Sequence, residues 1–257
     1  MFDLEKFDLK LNTDVIGRNF IFAEEVPSTN SELLTEGKLY KKHGTVLLAE
    51  KQTDGKGRKN RPWYSDDQLN LTFSILITEQ KYFKKRVNIL NFVASLALAA
   101  SVENLYQLKT ELKWPNDVLI DGKKLAGILI ESTSKGSKIE RLVIGIGLNV
   151  NQIAFQRKFT TEPTSLKKEL GYPVDREKTL AEILNNIEEI LNTSIKFPEK
   201  IFEDWKAKCN MIGKRITVVN DDVRKHGIFN DIDKNGFMVL RTDDNMETLH
   251  FGDVSIF

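Results

Sequence analysis

The spacing of apolar residues changes character once along this chain, and that change limits the fold more than any single motif does. Through residue 208, short apolar runs alternate with longer stretches of helical spacing. Residues 20–24, 45–50, 69–77 and 142–150 read as strands. Ser28 stands where a helix N-cap would, with Glu32 four positions on, and 85–105 reads as a buried helix. Leu180, Ile183, Leu184, Ile187, Ile190 and Leu191 mark one face of an amphipathic helix over 180–194, and 201–209 predicts one more. Asp121-Gly122, between apolar runs at 118–120 and 124–131, suits a type I′ hairpin. Beyond residue 209 only short strands remain, at 214–220, 223–231, 237–242 and 248–256, separated by Asp, Asn and Gly. The expected architecture is α+β: a mixed β-sheet with helices packed on it over 1–208, then a small β module over 209–257 that is too short for a sandwich.

Composition removes several classes of function. A single cysteine, Cys209, allows no internal disulfide, and with only His43, His226 and His250 beside it there is no zinc-ligand spacing. The stretch 87–102 lacks charge but is interrupted by Asn88, Asn91, Ser95 and Ser101, and it falls short of the roughly 20 apolar residues of a membrane span. The acidic start resembles neither a signal nor a transit peptide, so a cytoplasmic protein is expected. Lys and Arg number 38 against 37 Asp and Glu, a net charge of +1 that argues against a dedicated nucleic-acid binder. The average hides a local exception. Between Lys51 and Arg61 the basic residues Lys51, Lys56, Arg58, Lys59 and Arg61 face only Asp54, so an anionic ligand would bind here.

Chemistry-bearing residues fall in a few segments. In 52–63 (Gln-Thr-Asp-Gly-Lys-Gly-Arg-Lys-Asn-Arg-Pro-Trp), glycines permit tight turns and close approach while cations can converge on phosphate oxygens. This is not a Walker loop, because Gly55-Lys56 runs into Gly57 and Pro62 instead of opening a helix. Trp63 would offer a stacking platform. The segment Lys113-Trp-Pro-Asn-Asp117 reads either as a strand entry or as a ligand-facing turn. Lys124 opens an apolar strand in which Gly127 leaves room at the backbone, and a lysine so placed needs an anionic partner or a shifted pKa. In 145–151, Asn149 ends a buried strand, where it could present its amide to a ligand or cap a turn.

Together with Val26-Pro-Ser-Thr-Asn30 and the ending His250-Phe-Gly-Asp-Val-Ser255, these segments resemble the biotin protein ligase (biotin–acetyl-CoA-carboxylase ligase) family in order and spacing over most of the chain. The resemblance implies a class II aminoacyl-tRNA synthetase/biotin ligase-like catalytic domain and a C-terminal SH3-like β-barrel. It also implies two steps, with biotin and ATP as substrates: the biotin carboxylate attacks the α-phosphate of ATP to give biotinyl-5′-AMP and pyrophosphate, and a carrier-protein lysine then attacks the anhydride. No enzyme nucleophile is required. By resemblance, Ser28, Thr29, Asn30 and Gln52 hydrogen-bond the ureido ring, with Gly127 beside them. Lys56, Gly57 and Arg58 close over the carboxylate and phosphate, and Lys124, with Arg58, carries the chemistry. Arg61, Trp63, Asn116 and Asn149 contact the nucleotide, while Asp117 serves the Mg²⁺-bound phosphates or orients Lys124. Mg²⁺ arrives with ATP, as its preference for phosphates and few carboxylates suggests. The acceptor is a biotin carboxyl carrier domain.

Two positions depart from the family loop. Lys56 stands where arginine is common, and Asn60 where glycine is frequent; Asn tolerates left-handed dihedrals. Only about 25 residues precede the Ser-Thr-Asn motif, fewer than a winged-helix repressor domain with its own core needs. That segment is expected to supply a strand or an arm. An edge strand near 145–151 could pair two chains into a homodimer. A lipoate or octanoate ligase would share fold and adenylation but not the ureido-binding set, and a nucleic-acid module would show a steep salt dependence.

Overall fold

A computed structural model describes residues 2–35, 42–84, 86–136, 138–157, 159–220, 223–250 and 252–256. The larger sheet contains β1 (Phe20–Val26), β2 (Val46–Gln52), β3 (Leu71–Ile77), β4 (Glu111–Lys113), β5 (Asp117–Ile120), β6 (Lys123–Lys135) and β7 (Lys138–Leu148), in the order β1-β2-β3-β7-β6-β5-β4. It is mixed, because β1 runs parallel to β2 while the other pairs are antiparallel. Asp121 and Gly122 both have positive φ, 47° and 75°, so the expected type I′ connection joins β5 to β6.

Among the described residues six α-helices accompany it: α1 (Leu4–Asp8), α2 (Thr29–Leu34), α3 (Ile89–Tyr106), α4 (Leu166–Leu170), α5 (Arg176–Lys196) and α6 (Pro198–Lys208). Alternation along β2 sorts the two faces of the sheet. Val46 and Leu48 enter the main core with α3 and α5, while Leu47 joins Leu33, Leu76 and Val143 beneath α2. By length and composition alone α3 could cross a membrane, but it is the central core helix, 67% buried. Lys85, where its start was expected, lies outside the described residues. Buried Glu50 on β2 takes a bidentate pair from Arg176 at the start of α5, at 2.6 and 2.9 Å, with both side chains 8% exposed. The Phe2 amide also donates to Glu50.

The second sheet holds β8 (Arg215–Asn220), β9 (Val223–Ile232), β10 (Met238–Arg241), β11 (Met246–Leu249) and β12 (Asp253–Ile256), in the order β11-β10-β9-β8-β12. Its apolar residues, Phe229 and Leu240 among them, join the main core. Gly236 lies against the Phe92 ring, and its carbonyl accepts the Trp114 indole N–H at 3.2 Å.

Several expectations change. The 145–151 segment is not an edge: β7 is hydrogen-bonded to β3 on one side and β6 on the other, so its backbone groups are already paired. The predicted strand 248–256 divides at Gly252 (φ 154°) into β11, which pairs β10, and β12, which pairs β8. The segment ahead of the Ser-Thr-Asn motif supplies β1, as expected, and adds before it a short helix capped by the Asp3 side chain. Three-residue β4 had no signal of its own and exists because β5 pairs it.

Candidate active site

One end of the site is built where β1 passes into α2. Ser28 caps the helix, accepting from the Ser31 amide, and the first-turn residues Thr29 and Asn30 are 3% and 4% exposed. Buried polar groups at a helix start need partners, and here they find them on neighbouring strands. Asn30 Nδ2 donates to Glu131 Oε2 at 2.7 Å and to the Leu129 carbonyl at 3.3 Å. Ser74 Oγ lies 2.6 Å from Asn30 Oδ1 and equally from Thr29 Oγ1. Gln52 Oε1 accepts from the Thr29 amide at 2.7 Å and its hydroxyl at 3.0 Å. Gly145 makes this possible, because a Cβ there would sit 2.3 Å from Asn30 Oδ1.

The other end grows from the loop after β2. Lys59 and Asn60 both adopt left-handed dihedrals, φ 55° and 54°, in a tight turn over Arg58–Asn60. Asn60 thus takes the conformation its amide side chain tolerates, while Lys59 joins it without any sequence cue. The turn aims Arg58 inward, where Nη1 donates to Asn116 Oδ1 at 3.2 Å and the guanidinium reaches the Gly252 carbonyl at 3.3–3.4 Å. Burial pushes its pKa down, with Asp253 and Asp117 opposing. Lys56 pairs with Asp54 at 2.9 Å, and Arg61 with Asp253.

Between the two ends the sheet floor has almost no side chains. Trp63 lies over Gly147, where a Cβ would come within 2.2 Å of the indole, and a Cβ on Gly127 would come within 3.2 Å of both Trp63 and Lys124. The room beside Gly127 is therefore occupied by these two side chains. Trp63 Nε1 is buried with no hydrogen-bond partner among the described residues. Lys124 Nζ pairs with Asp117 Oδ1 at 2.7 Å and lies 5.6 Å from the Trp63 ring centre.

Ser28, Thr29, Asn30, Gln52, Lys56, Gly57, Arg58, Arg61, Trp63, Asn116, Asp117, Lys124, Gly127 and Asn149 all line one cleft of about 230 Å³. Two asparagines among them are also tied to distant backbone: Asn116 Nδ2 donates to the Ile128 carbonyl at 2.6 Å, and Asn149 Nδ2 to the Thr164 carbonyl at 2.9 Å. Asn149 thus ties the end of β7 to the segment before α4.

Sequence reasoning gave no role to Ser74, Glu131, Lys113, Phe155, Phe159, Thr161 or Asp253. Ser74 had a usable signal, since one serine within the apolar run Leu71–Ile77 must find a partner once buried. Phe155 and Phe159 meet edge to face at the cleft wall, and nothing local announces it.

A floor of glycines between a buried hydrogen-bonding set and a group of cations suits a ligand that is polar and neutral at one end and anionic at the other. Residues 22–149 match the Biotin/lipoate A/B protein ligase family, and residues 211–256 match the Biotin protein ligase C terminal domain. The chain belongs to the biotin protein ligase family. The biotin--[acetyl-CoA-carboxylase] ligase of Mycobacterium tuberculosis is 32% identical over 235 residues, spanning 88% of this chain and 85% of that protein. The Bacillus subtilis bifunctional ligase/repressor BirA is 28% identical over 251 residues, 96% of this chain and 76% of the relative. Among solved structures, the biotin protein ligase from Aquifex aeolicus in complex with biotin and ATP superposes with a TM-score of 0.78 at 29% identity, covering 93% of this chain and 99% of that one.

Proposed function

We propose that this chain biotinylates a lysine of a biotin carboxyl carrier domain, such as that of acetyl-CoA carboxylase, by way of biotinyl-5′-AMP. Kinship with ligases of that name supports the reading. The observation that carries it is the pairing of opposites within one cleft. Buried Thr29 and Asn30, held from behind by Ser74, offer directional hydrogen bonds suited to a neutral polar ring, while Arg58 and Lys124 line the other end.

In the first step a biotin carboxylate oxygen attacks the α-phosphorus, and the bond to the β-phosphate bridging oxygen breaks with its electrons leaving on pyrophosphate. Lys124 faces the carboxylate and α-phosphate and stabilises the charge developing between them; its pairing with Asp117 fixes its direction beforehand. Arg58 closes with Lys56 and Gly57 over the same groups. Gln52, Thr29, Asn30 and Ser28 hold the ureido ring, and Gly127 gives Trp63 and Lys124 their room against the floor. Trp63, Arg61, Asn116 and Asn149 border the nucleotide. In the second step the carrier's neutral lysine amine attacks the anhydride carbonyl, AMP leaves, and the amine's proton is released. Mg²⁺ enters on the phosphates of ATP, with Asp117 the carboxylate at hand. We assign the ligase reaction to 1–208 and treat 209–257 as a module that borders the same cleft, in a cytoplasmic enzyme.

Incubation with biotin, MgATP and candidate carrier domains tests the reading. The expected product is a carrier heavier by one biotinyl group. Pyrophosphate release driven by lipoate in place of biotin would reassign the enzyme to the lipoate branch.

A further inference from the structure

Lys113 extends from β4, an edge strand of the large sheet, and lines the cleft. Its Cα partner across the ladder is Asp117. That carboxylate is given to Lys124, at 2.7 Å, which leaves Lys113 Nζ with the Thr161 hydroxyl at 3.1 Å and no ion pair among the described residues. The other cleft cations are accounted for. Lys56 pairs with Asp54, Arg61 with Asp253 and Lys124 with Asp117. Arg58, which holds only neutral acceptors, already has a role above.

A half-buried ammonium with one neutral partner is held at a free-energy cost that an entering anion would relieve. Burial lowers the Lys113 pKa, Lys124 adds to that, and Asp117 and Asp253 oppose it. Position indicates which anion. Across the sheet, Gly145 under Asn30 lies on β7, Lys124 on β6, Asp117 on β5 and Lys113 on β4. The Lys113 strand is two beyond that of Lys124, roughly 10 Å between their backbones at the usual strand spacing, and away from the Asn30 end.

We infer that Lys113 binds the phosphates beyond the α-phosphorus, and with them the departing pyrophosphate. This rests on the ligase reading. As the bond to the α-phosphorus breaks, negative charge gathers on the bridging oxygen of the leaving group, and the ammonium meets it with a hydrogen bond while keeping its proton.

The test uses the full chain carrying Lys113→Gln, Lys113→Arg or Thr161→Val. The readouts are the inhibition constant of inorganic pyrophosphate in adenylate formation, the KM for MgATP, and biotin transfer to carrier from preformed biotinyl-5′-AMP. Lys113→Gln is expected to raise the first two about tenfold, the scale of one charge-assisted hydrogen bond, and to leave transfer within about twofold. Lys113→Arg should restore most of the loss, and Thr161→Val should leave pyrophosphate inhibition within about twofold of the parent, because the ammonium and not its hydroxyl contact is at issue. An unchanged pyrophosphate constant in Lys113→Gln, or an equal loss from Thr161→Val, overturns the inference while the ligase reading stands. A parent enzyme that releases no pyrophosphate with biotin overturns both.

Discussion

The two ends of the cleft are made in different ways. At the Asn30 end the groups sit on a capped helix and on strands, Ser74 is 0% exposed, and each is matched by a partner from the protein's own interior. At the loop end the cations are partly in water, with the Arg61 side chain 54% and Lys56 39% exposed, and they are paired with carboxylates that an anionic ligand would have to replace. One end is organised before a ligand arrives, whereas the other is assembled by exchanging one set of ion pairs for another. The difference suits the chemistry. A neutral polar ring is recognised by direction, which needs rigidity, whereas a polyanion is held by charge and must also be let go.

Lys124, at the junction, should give the largest effect. Lys124→Ala removes a charge-assisted contact and strands the Asp117 carboxylate, so adenylate formation should slow about a hundredfold, within the range for such contacts, as read by single-turnover pyrophosphate release. A native rate would remove Lys124 from the chemistry. The rigidity of the Asn30 end is tested by Gly145→Ala, whose Cβ would overlap Asn30 Oδ1 at 2.3 Å. Overpacking of this kind costs about 1–3 kcal/mol, so titration calorimetry should show biotin affinity falling about thirtyfold with the KM for MgATP little changed. Equal losses for both ligands would break the distinction between the ends.

At the loop end, Arg58→Gly should release activated biotin about tenfold faster, measured as labelling of lysines on an unrelated protein; normal retention would count against loop closure. The smallest change is expected from Asp253→Asn. An exposed ion pair contributes about 0–1 kcal/mol, so freeing Arg61 should lower the KM for MgATP by no more than about threefold, an effect that fades as salt is raised. A large loss of activity would instead give Asp253 a direct part in binding.

The fold was legible where periodicity was strong. The run over β3, the stripe along α5 and the Asp121-Gly122 turn each followed from local chemistry, and so did the Ser28 cap. Short elements were not, because β4 and the break between β11 and β12 depend on which neighbour supplies hydrogen bonds. The same holds for the site. Charged and glycine-rich segments pointed to the cleft, but Gly145 and Gly147 could be explained only once Asn30 and Trp63 were found lying on them. Phe155, Thr161 and Asp253 come from segments whose composition is that of ordinary loop and strand, and proximity alone makes them cleft residues.

The sequence by itself determined the order of the longer strands and helices, the change to an all-β ending, the cationic loop, and many of the residues that line the cleft. These follow from side-chain period and charge, which are local. Only the tertiary structure decided that β7 is central instead of an edge, that Asp117 belongs to Lys124 and not to Lys113, and that the C-terminal sheet reaches the cleft through Gly252 and Asp253. Those are matters of which distant groups come to share a few ångströms of space. Pairing among several possible partners is set by packing, and no stretch of chain carries it alone.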